Sequence, residues 1–270
     1  MTAASLRFRV PDFRRSKEAG RKIVMLTCYD ALFAKLLDTA VDVLLVGDSL
    51  HQVLGGHETT LGATLDQMIY HAAAVRRGAS HALVLVDLPF LSYQVSVEEA
   101  IRHAGRVLRE TDAQAVKLEG GRSMAPTVHA LVERGIPVVG HLGLTPQSLN
   151  LIGGYKVQGR TLPAAEAMLA DAKALEEAGA SAVVLELVPD DVAARISEAL
   201  SIPTIGIGAG VGCDGQVLVL HDLLGLTEEF RPRFLKRYAE LATTVRSAVG
   251  TYAEEVRRGV FPGPEHGFRE

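Results

Sequence analysis

Eight short runs of almost uninterrupted apolar residues punctuate the chain, with stretches of helical periodicity between them. The runs are Ile23–Cys28, Val43–Val46, Ala82–Val86, Ala115–Leu118, Pro137–Val139, Ala182–Leu185, Pro203–Ile207 and Val217–Leu220. Continuous rather than alternating hydrophobicity belongs to parallel strands buried on both faces. Between the runs, Ala, Leu, Glu and Arg recur at helical spacing, most clearly over Val97–Glu110 and Pro163–Ala178. Ser96 stands where an N-cap is expected, with Glu98 and Glu99 well placed against the helix dipole. Gly179 stands where a left-handed C-cap is expected. Eight β–α alternations predict a closed (β/α)8 barrel, since a doubly wound sheet usually has fewer strands. No Pro- or Ser-rich linker breaks the rhythm, so the sequence predicts a single domain over residues 1–270. A leader and short helix fill about 1–21, and a long final helix at about 231–258 is expected outside the barrel.

Two segments depart from the pattern. Leu50–Gly62 and Leu144–Arg160 are rich in Gly and polar residues and too long for ordinary turns. Loops of that length inside a compact domain usually bind something or cover it.

The chemistry is concentrated at one place in each repeat. Strand after strand ends on a polar or ionisable residue: Tyr29 and Asp30, Asp48 and Ser49, Asp87, Lys117 and Glu119, His141, Glu186. These are C-terminal ends, the face on which barrel enzymes build their active sites. Asp30 or Asp87 alone reads equally well as an N-cap for the next helix; six strands ending this way together read as a site. Asp48, Asp87 and Glu119 are each embedded in apolar strand sequence, where an ionised carboxylate needs a partner. Three converging carboxylates need a compensating cation. All-oxygen ligands, without cysteines or a histidine pair at zinc spacing, point to a hard ion such as Mg2+.

Lys117 and Glu119 lie two apart on one strand and therefore face the same way, into the barrel mouth. Lys117 reads as a structural ion-pair partner, as a Schiff-base nucleophile, or as a protonated donor to a substrate carboxylate or enolate; neighbouring acids favour the last. His141 reads either as a core histidine or as a donor to a substrate oxygen. Glu186, in VVLELVP, has the apolar setting that readies a carboxylate for general-base work, or is a buried acid bonded to backbone. The glycine run Gly206–Gly212 falls on the seventh strand with no ribose-binding acid after it, so a close backbone approach to a ligand near that strand fits better than dinucleotide binding.

Composition narrows the partners. The net charge of -4, from 28 basic and 32 acidic residues, and the absence of Trp give no basis for nucleic-acid binding. No apolar run approaches membrane-spanning length. Two cysteines, Cys28 and Cys213, make no disulfide framework and suit a reducing cytoplasm.

The stretches MLTCYD, VGDSL, HAAAVRRGA, VDLPFLSY, VKLEGG, GHLGLTPQS, GGYKVQGR, LELVP, GIGAG and DGQVLV occur here in the order found in ketopantoate hydroxymethyltransferases. The chain resembles that family from about Phe13 to the terminal GVFPGPEHGF, and the pair GHLGLTPQS and GGYKVQGR carries the most specificity. The resemblance implies a (β/α)8 barrel in a homodecamer. It implies transfer of a hydroxymethyl group from 5,10-methylenetetrahydrofolate to 3-methyl-2-oxobutanoate, for pantothenate biosynthesis. Position by position, it places Asp48, Asp87 and Glu119 around Mg2+, directly or through water. Ser49 and Lys117 fall at keto-acid positions, His141 at a pocket position, and Glu186 at that of the base. One departure is His51, where the family commonly has Gly, at the opening of a loop on the expected folate side. Two other readings stay open: a Mg2+-dependent barrel related to phosphoenolpyruvate mutase and isocitrate lyase, and a barrel that binds ligands without catalysis.

Overall fold

The computed structural model describes residues 7–268. Eight parallel strands close into a barrel in chain order: β1 (Ile23–Thr27), β2 (Val43–Val46), β3 (Leu83–Asp87), β4 (Ala115–Glu119), β5 (Val138–Gly143), β6 (Ala182–Glu186), β7 (Thr204–Ile207) and β8 (Gly215–Leu218), which pairs back on β1. All eight apolar runs became strands, with ends moved by a few residues. The helices are α1 (Val10–Glu18), α2 (Ala31–Leu37), α3 (Leu50–Val53), α4 (Leu65–Gly78), α5 (Val97–Thr111), α6 (Ala125–Glu133), α7 (Leu149–Ile152), α8 (Leu162–Glu177), α9 (Asp190–Ala199), α10 (Leu220–Leu223) and α11 (Leu241–Arg257). The expected leader helix is α1; residues 1–6 lie outside the described residues.

Two buried layers follow from strand geometry, in which alternate side chains face opposite ways. Inside the barrel, Ile23, Met25, Val43, Leu45, Leu83, Leu85, Ala115, Val139, Ala182, Val184, Ile205 and Val217 pack together, with Phe8 and Phe13 in the same cluster. The intervening strand residues, such as Leu44, Val84, Val116 and Val183, face outward and pack in a second cluster with helix residues such as Met68, Val107 and Leu175. The interior is therefore a filled core, as the fold requires.

The local signals behave largely as expected. Ser96 caps α5 by accepting the Glu99 N–H (3.1 Å). Gly179 has φ +97° and sits one residue past the C-cap Ala178, pressed against Val132, where a Cβ would lie 2.9 Å from a Val132 methyl. The glycines after β7 meet protein: a Cβ on Gly210 or Gly212 would collide with Asp190 or Ala194 of α9. No helix forms between β7 and β8, so that connection departs from strict β–α alternation.

The chain divides into two compact units, the first ending at Val219 and the second spanning Leu220–Glu270. In the second, the long helix begins at Leu241, ten residues later than about 231. The Arg237 guanidinium bonds the carbonyls of Thr227, Glu228 and Phe230 and pairs with Glu240, holding the preceding segment as a loop.

Candidate active site

The barrel register gathers the candidate residues. Asp87 is paired in register with Lys117, Glu119 with His141, and Gly143 with Glu186. Because alternate residues share a face, Asp87 continues the inward column of Leu83 and Leu85. Lys117 and Glu119 continue that of Ala115, His141 that of Val139, and Glu186 that of Val184. At their C-terminal ends the strands exchange apolar for ionisable side chains without changing face.

The result is a buried cluster of charge. The Lys117 ammonium lies 2.9 Å from Asp87 Oδ1 and 3.3 Å from His141 Nδ1. The Asp48 N–H donates to Asp87 Oδ2 (3.1 Å). His141 bridges two acids, with Nδ1 3.4 Å from Glu119 Oε1 and Nε2 3.3 Å from Glu186 Oε2. Asp48, Asp87, Lys117, Glu119 and His141 are all buried, whereas the Glu186 side chain retains 17% of its exposure, so it alone of the ionisable group reaches the mouth.

Electrostatics record the excess of acid. Burial, with Asp87 and Glu119 close by, pushes the Asp48 carboxyl up to about 8. Burial also raises Asp87, against the pull of Lys117. Desolvation would strip the proton from Lys117, but Asp87, Glu119 and Asp48 together outweigh it and hold the ammonium charged above its ordinary range. His141 is opposed by desolvation and by Lys117, yet its bonds to Glu119 and Glu186 push it up to about 9.

The remaining strand-end residues divide between site and scaffold. The Ser49 and Tyr29 hydroxyls are 2.9 Å apart, so the buried Tyr29 phenol and Ser49 form a pair after β1 and β2. Asp30 points elsewhere: it caps α2 by accepting the Phe33 N–H (2.9 Å). Glu186 is aimed by its neighbours. Leu187 takes the left-handed conformation (φ +47°), which is costly for Leu. Its N–H bonds the Ile207 carbonyl, and its own carbonyl accepts the Gln158 N–H. Across the strand, Gly143 has φ +90°, and a Cβ there would lie 2.1 Å from the Glu186 carbonyl oxygen, so only glycine fits.

Sequence reasoning missed Gln147, Tyr93 and Gln94. Gln147, buried in a 3-10 turn Pro146–Ser148, donates from Nε2 to Asp48 Oδ2 (2.9 Å) and to the Leu88 carbonyl (3.0 Å). Its backbone N–H donates to Glu119 Oε2 (3.0 Å). Tyr93 donates its hydroxyl to Gln147 Oε1 (2.8 Å) while accepting the Glu119 N–H (3.0 Å), and Gln94 donates to the same Oε1 (3.0 Å). The available signal was the length of the loop after β5 and the specificity of GHLGLTPQS, which contains Gln147.

The two long loops adopt short helices, α3 and α7, and touch through Gln52 Nε2 and the Tyr155 hydroxyl (3.0 Å). His51 lies within α3, outside the left-handed region, stacked on His57 with ring centroids 3.9 Å apart and bonded to the Thr59 carbonyl (2.8 Å). The substitution is therefore absorbed by helical backbone and ring stacking.

The donor set bears directly on the expected cation. Among the described residues, no three His, Cys, Asp or Glu side chains are grouped as a ready-made metal cage. Mg2+ seldom uses such a cage; it keeps waters and takes one or two carboxylates with substrate oxygens. Asp48 and Asp87, joined through the Asp48 N–H and short of positive charge, fit that habit, and Glu119 stands beside them as a further buried acid.

A closed parallel barrel with an acid-rich cluster at the C-terminal ends of its strands defines a barrel enzyme. The sequence profile of ketopantoate hydroxymethyltransferase matches residues 7–264, and the chain belongs to that family. It is 56% identical over 260 residues to the 3-methyl-2-oxobutanoate hydroxymethyltransferase of Syntrophotalea carbinolica, covering 96% of this chain and 97% of that one. The enzyme of the same name from Syntrophus aciditrophicus is 57% identical over 256 residues, 94% of each chain. Among solved structures, 2,3-dimethylmalate lyase superposes with a TM-score of 0.59 at 17% identity, covering 95% and 92% of the two chains. Phosphonopyruvate hydrolase, solved with oxalate and Mg2+, gives 0.60 at 12%, covering 96% and 91%. At these identities the likeness is one of fold.

Proposed function

We propose that the enzyme transfers a hydroxymethyl group from 5,10-methylenetetrahydrofolate to 3-methyl-2-oxobutanoate, giving 2-dehydropantoate in pantothenate biosynthesis. The observation that carries this reading is the buried acid excess around Lys117, with the slightly exposed Glu186 at its edge. Family membership and relatives of that name over nearly the whole chain support the substrate pair.

In this reading Asp48, Asp87 and Glu119 would surround Mg2+, directly or through water. When bound, the ion would supply Lewis-acid polarisation of the oxo acid and so make its C3–H more acidic. Ser49 and Lys117 hold the substrate oxygens. Glu186 removes the C3 proton, and its carboxyl is steadied by the His141 ring at 3.3 Å. The Lys117 ammonium faces the enolate oxygen as its charge develops. The C3 carbon then forms its bond to the folate methylene as one methylene–nitrogen bond opens. Water breaks the second such bond and supplies the hydroxyl oxygen, and tetrahydrofolate leaves with its nitrogens reprotonated, one proton being that taken up by Glu186. A Schiff base at Lys117 needs a neutral amine, and the surrounding acids oppose that. We further place the enzyme in the cytoplasm as a homodecamer acting on small molecules. Two buried free cysteines support the compartment, no helix of the described residues is long and apolar enough to cross a membrane, and the assembly rests on the family resemblance.

Proton NMR of 3-methyl-2-oxobutanoate in deuterium oxide tests the scheme. The wild type with Mg2+ is expected to exchange the C3 proton, and Glu186→Gln to stop exchange while still binding the oxo acid. Exchange that continues unchanged in Glu186→Gln removes that residue from the role.

A further inference from the structure

We propose that Gln147 is a positioning residue that presets Asp48 and Glu119 for a divalent cation, an inference resting on the reading that Asp48 and Asp87 hold one. Its carboxamide has no freedom to turn. The Leu88 carbonyl can only accept, so it selects the Nε2 side, and Gln94 Nε2 can only donate, so it selects the Oε1 side. The Tyr93 hydroxyl, already accepting the Glu119 N–H, donates its proton to the same Oε1. With both ends saturated, the second Nε2 proton is committed to Asp48 Oδ2. That leaves Asp48 Oδ1 as the oxygen with no hydrogen bond among the described residues.

The backbone completes the clamp. Pro146 opens the 3-10 turn with its fixed φ, and the next N–H, that of Gln147, holds Glu119 Oε2. One residue thus locks two acids from β2 and β4, each through one oxygen. Partners that orient a ligating carboxylate in this way commonly set metal affinity by about 10- to 100-fold. A residue that only plugged the loop would affect stability and leave the cation alone.

Calorimetric titration of Mg2+ into the full-length protein, without folate, separates these roles. The variants are Gln147→Met, which keeps the side-chain shape and the backbone N–H, and Tyr93→Phe, which removes one orienting oxygen; circular dichroism monitors their folding. Gln147→Met is expected to weaken Mg2+ binding about 10- to 100-fold, with much of kcat regained at saturating Mg2+, and Tyr93→Phe to weaken it less. A folded Gln147→Met protein binding Mg2+ within about twofold of wild type overturns the inference. Should that variant not fold, unchanged Mg2+ affinity in Tyr93→Phe overturns it equally. A wild-type protein that binds no Mg2+ instead overturns the underlying cation reading, and this inference with it.

Discussion

The two ends of the barrel both carry charge, but they handle it in opposite ways. At the N-terminal end a cavity of about 420 Å3 is lined by Asp12, Asp38 and Asp42 with Arg15, Arg21 and His81. Each acid there has its own base: Asp12 with Arg15 (3.0 Å), Asp42 with Arg21 (2.8 Å), Asp38 with His81 (2.9 Å). At the C-terminal end four acids, Asp48, Asp87, Glu119 and Glu186, share Lys117 and His141. The Asp12 and Asp42 pairs lie near solvent, where an ion pair is worth little, and the buried Asp38 is also satisfied by the backbone N–H groups of Ser80, His81 and Ala82. A buried, unmatched set is expensive, and proteins keep such sets where chemistry needs them. The cavity lies at the end whose charges are matched; the charge imbalance lies at the other.

The sharpest way to break the contrast is Lys117→Met. It leaves the acids at the mouth with His141 as their one basic neighbour in the cluster. Removing one partner of a buried pair costs about 3–5 kcal/mol. Urea unfolding of the cation-free variant should show that loss, with activity abolished in the hydroxymethyl-transfer assay. A stable, active Lys117→Met enzyme would mean that the acids are not held by this ammonium.

One step below the charged layer, Leu85→Ala tests the apolar half. Leu85 is fully buried in the interior cluster, two residues before Asp87 on the same face. The cavity should cost about 2–5 kcal/mol in chemical denaturation. Mg2+ affinity should be preserved; if it falls in parallel with stability, the two layers are mechanically one.

These columns were readable in the sequence because strand period and burial are local. Leu83, Leu85 and Asp87, or Ala115, Lys117 and Glu119, announce both the face and the point where it turns polar. Gln147 and Tyr93 were not readable, since their roles depend on loops meeting from β3 and β5, and neither residue type in a loop has a period to betray it. The late start of α11 was hidden similarly: Arg231–Glu240 has helical composition, and the Arg237 contacts that unwind it come from residues just before it.

The acid excess also sets a pH response. Asp48 is raised to about 8 in the folded protein from an ordinary value near 3.8. A raised carboxyl means that the native state binds more protons than the unfolded chain between those values, so stability falls as pH rises through that window. His141, raised to about 9 from 6.5, adds stability that is complete below 6.5 and lost as pH rises through 9. Both terms have the same sign. Each proton contributes a slope of up to about 1.4 kcal/mol per pH unit. Thermal melts of the cation-free protein should therefore decline from pH 6 towards 9, and saturating Mg2+ should flatten the decline. A cation-free protein equally stable across this range would refute the imbalance on which the comparison stands.

The smallest effect is expected where a polar strand end is only scaffold. Asp30 comes three residues after β1 and Asp48 two after β2, and in sequence the two look alike. The difference is direction: Asp30 turns outward and caps α2 through the Phe33 N–H (2.9 Å), while Asp48 is buried against Asp87 and Gln147. Losing an N-cap typically costs about 1 kcal/mol. Asp30→Ala should lower the melting temperature by a few degrees while kcat, KM and Mg2+ affinity stay at wild-type values, because the Asp30 side chain is engaged in capping α2. A fall in Mg2+ affinity in Asp30→Ala would show that the cap positions the neighbouring Tyr29–Ser49 pair, and that scaffold and site are coupled at β1 after all.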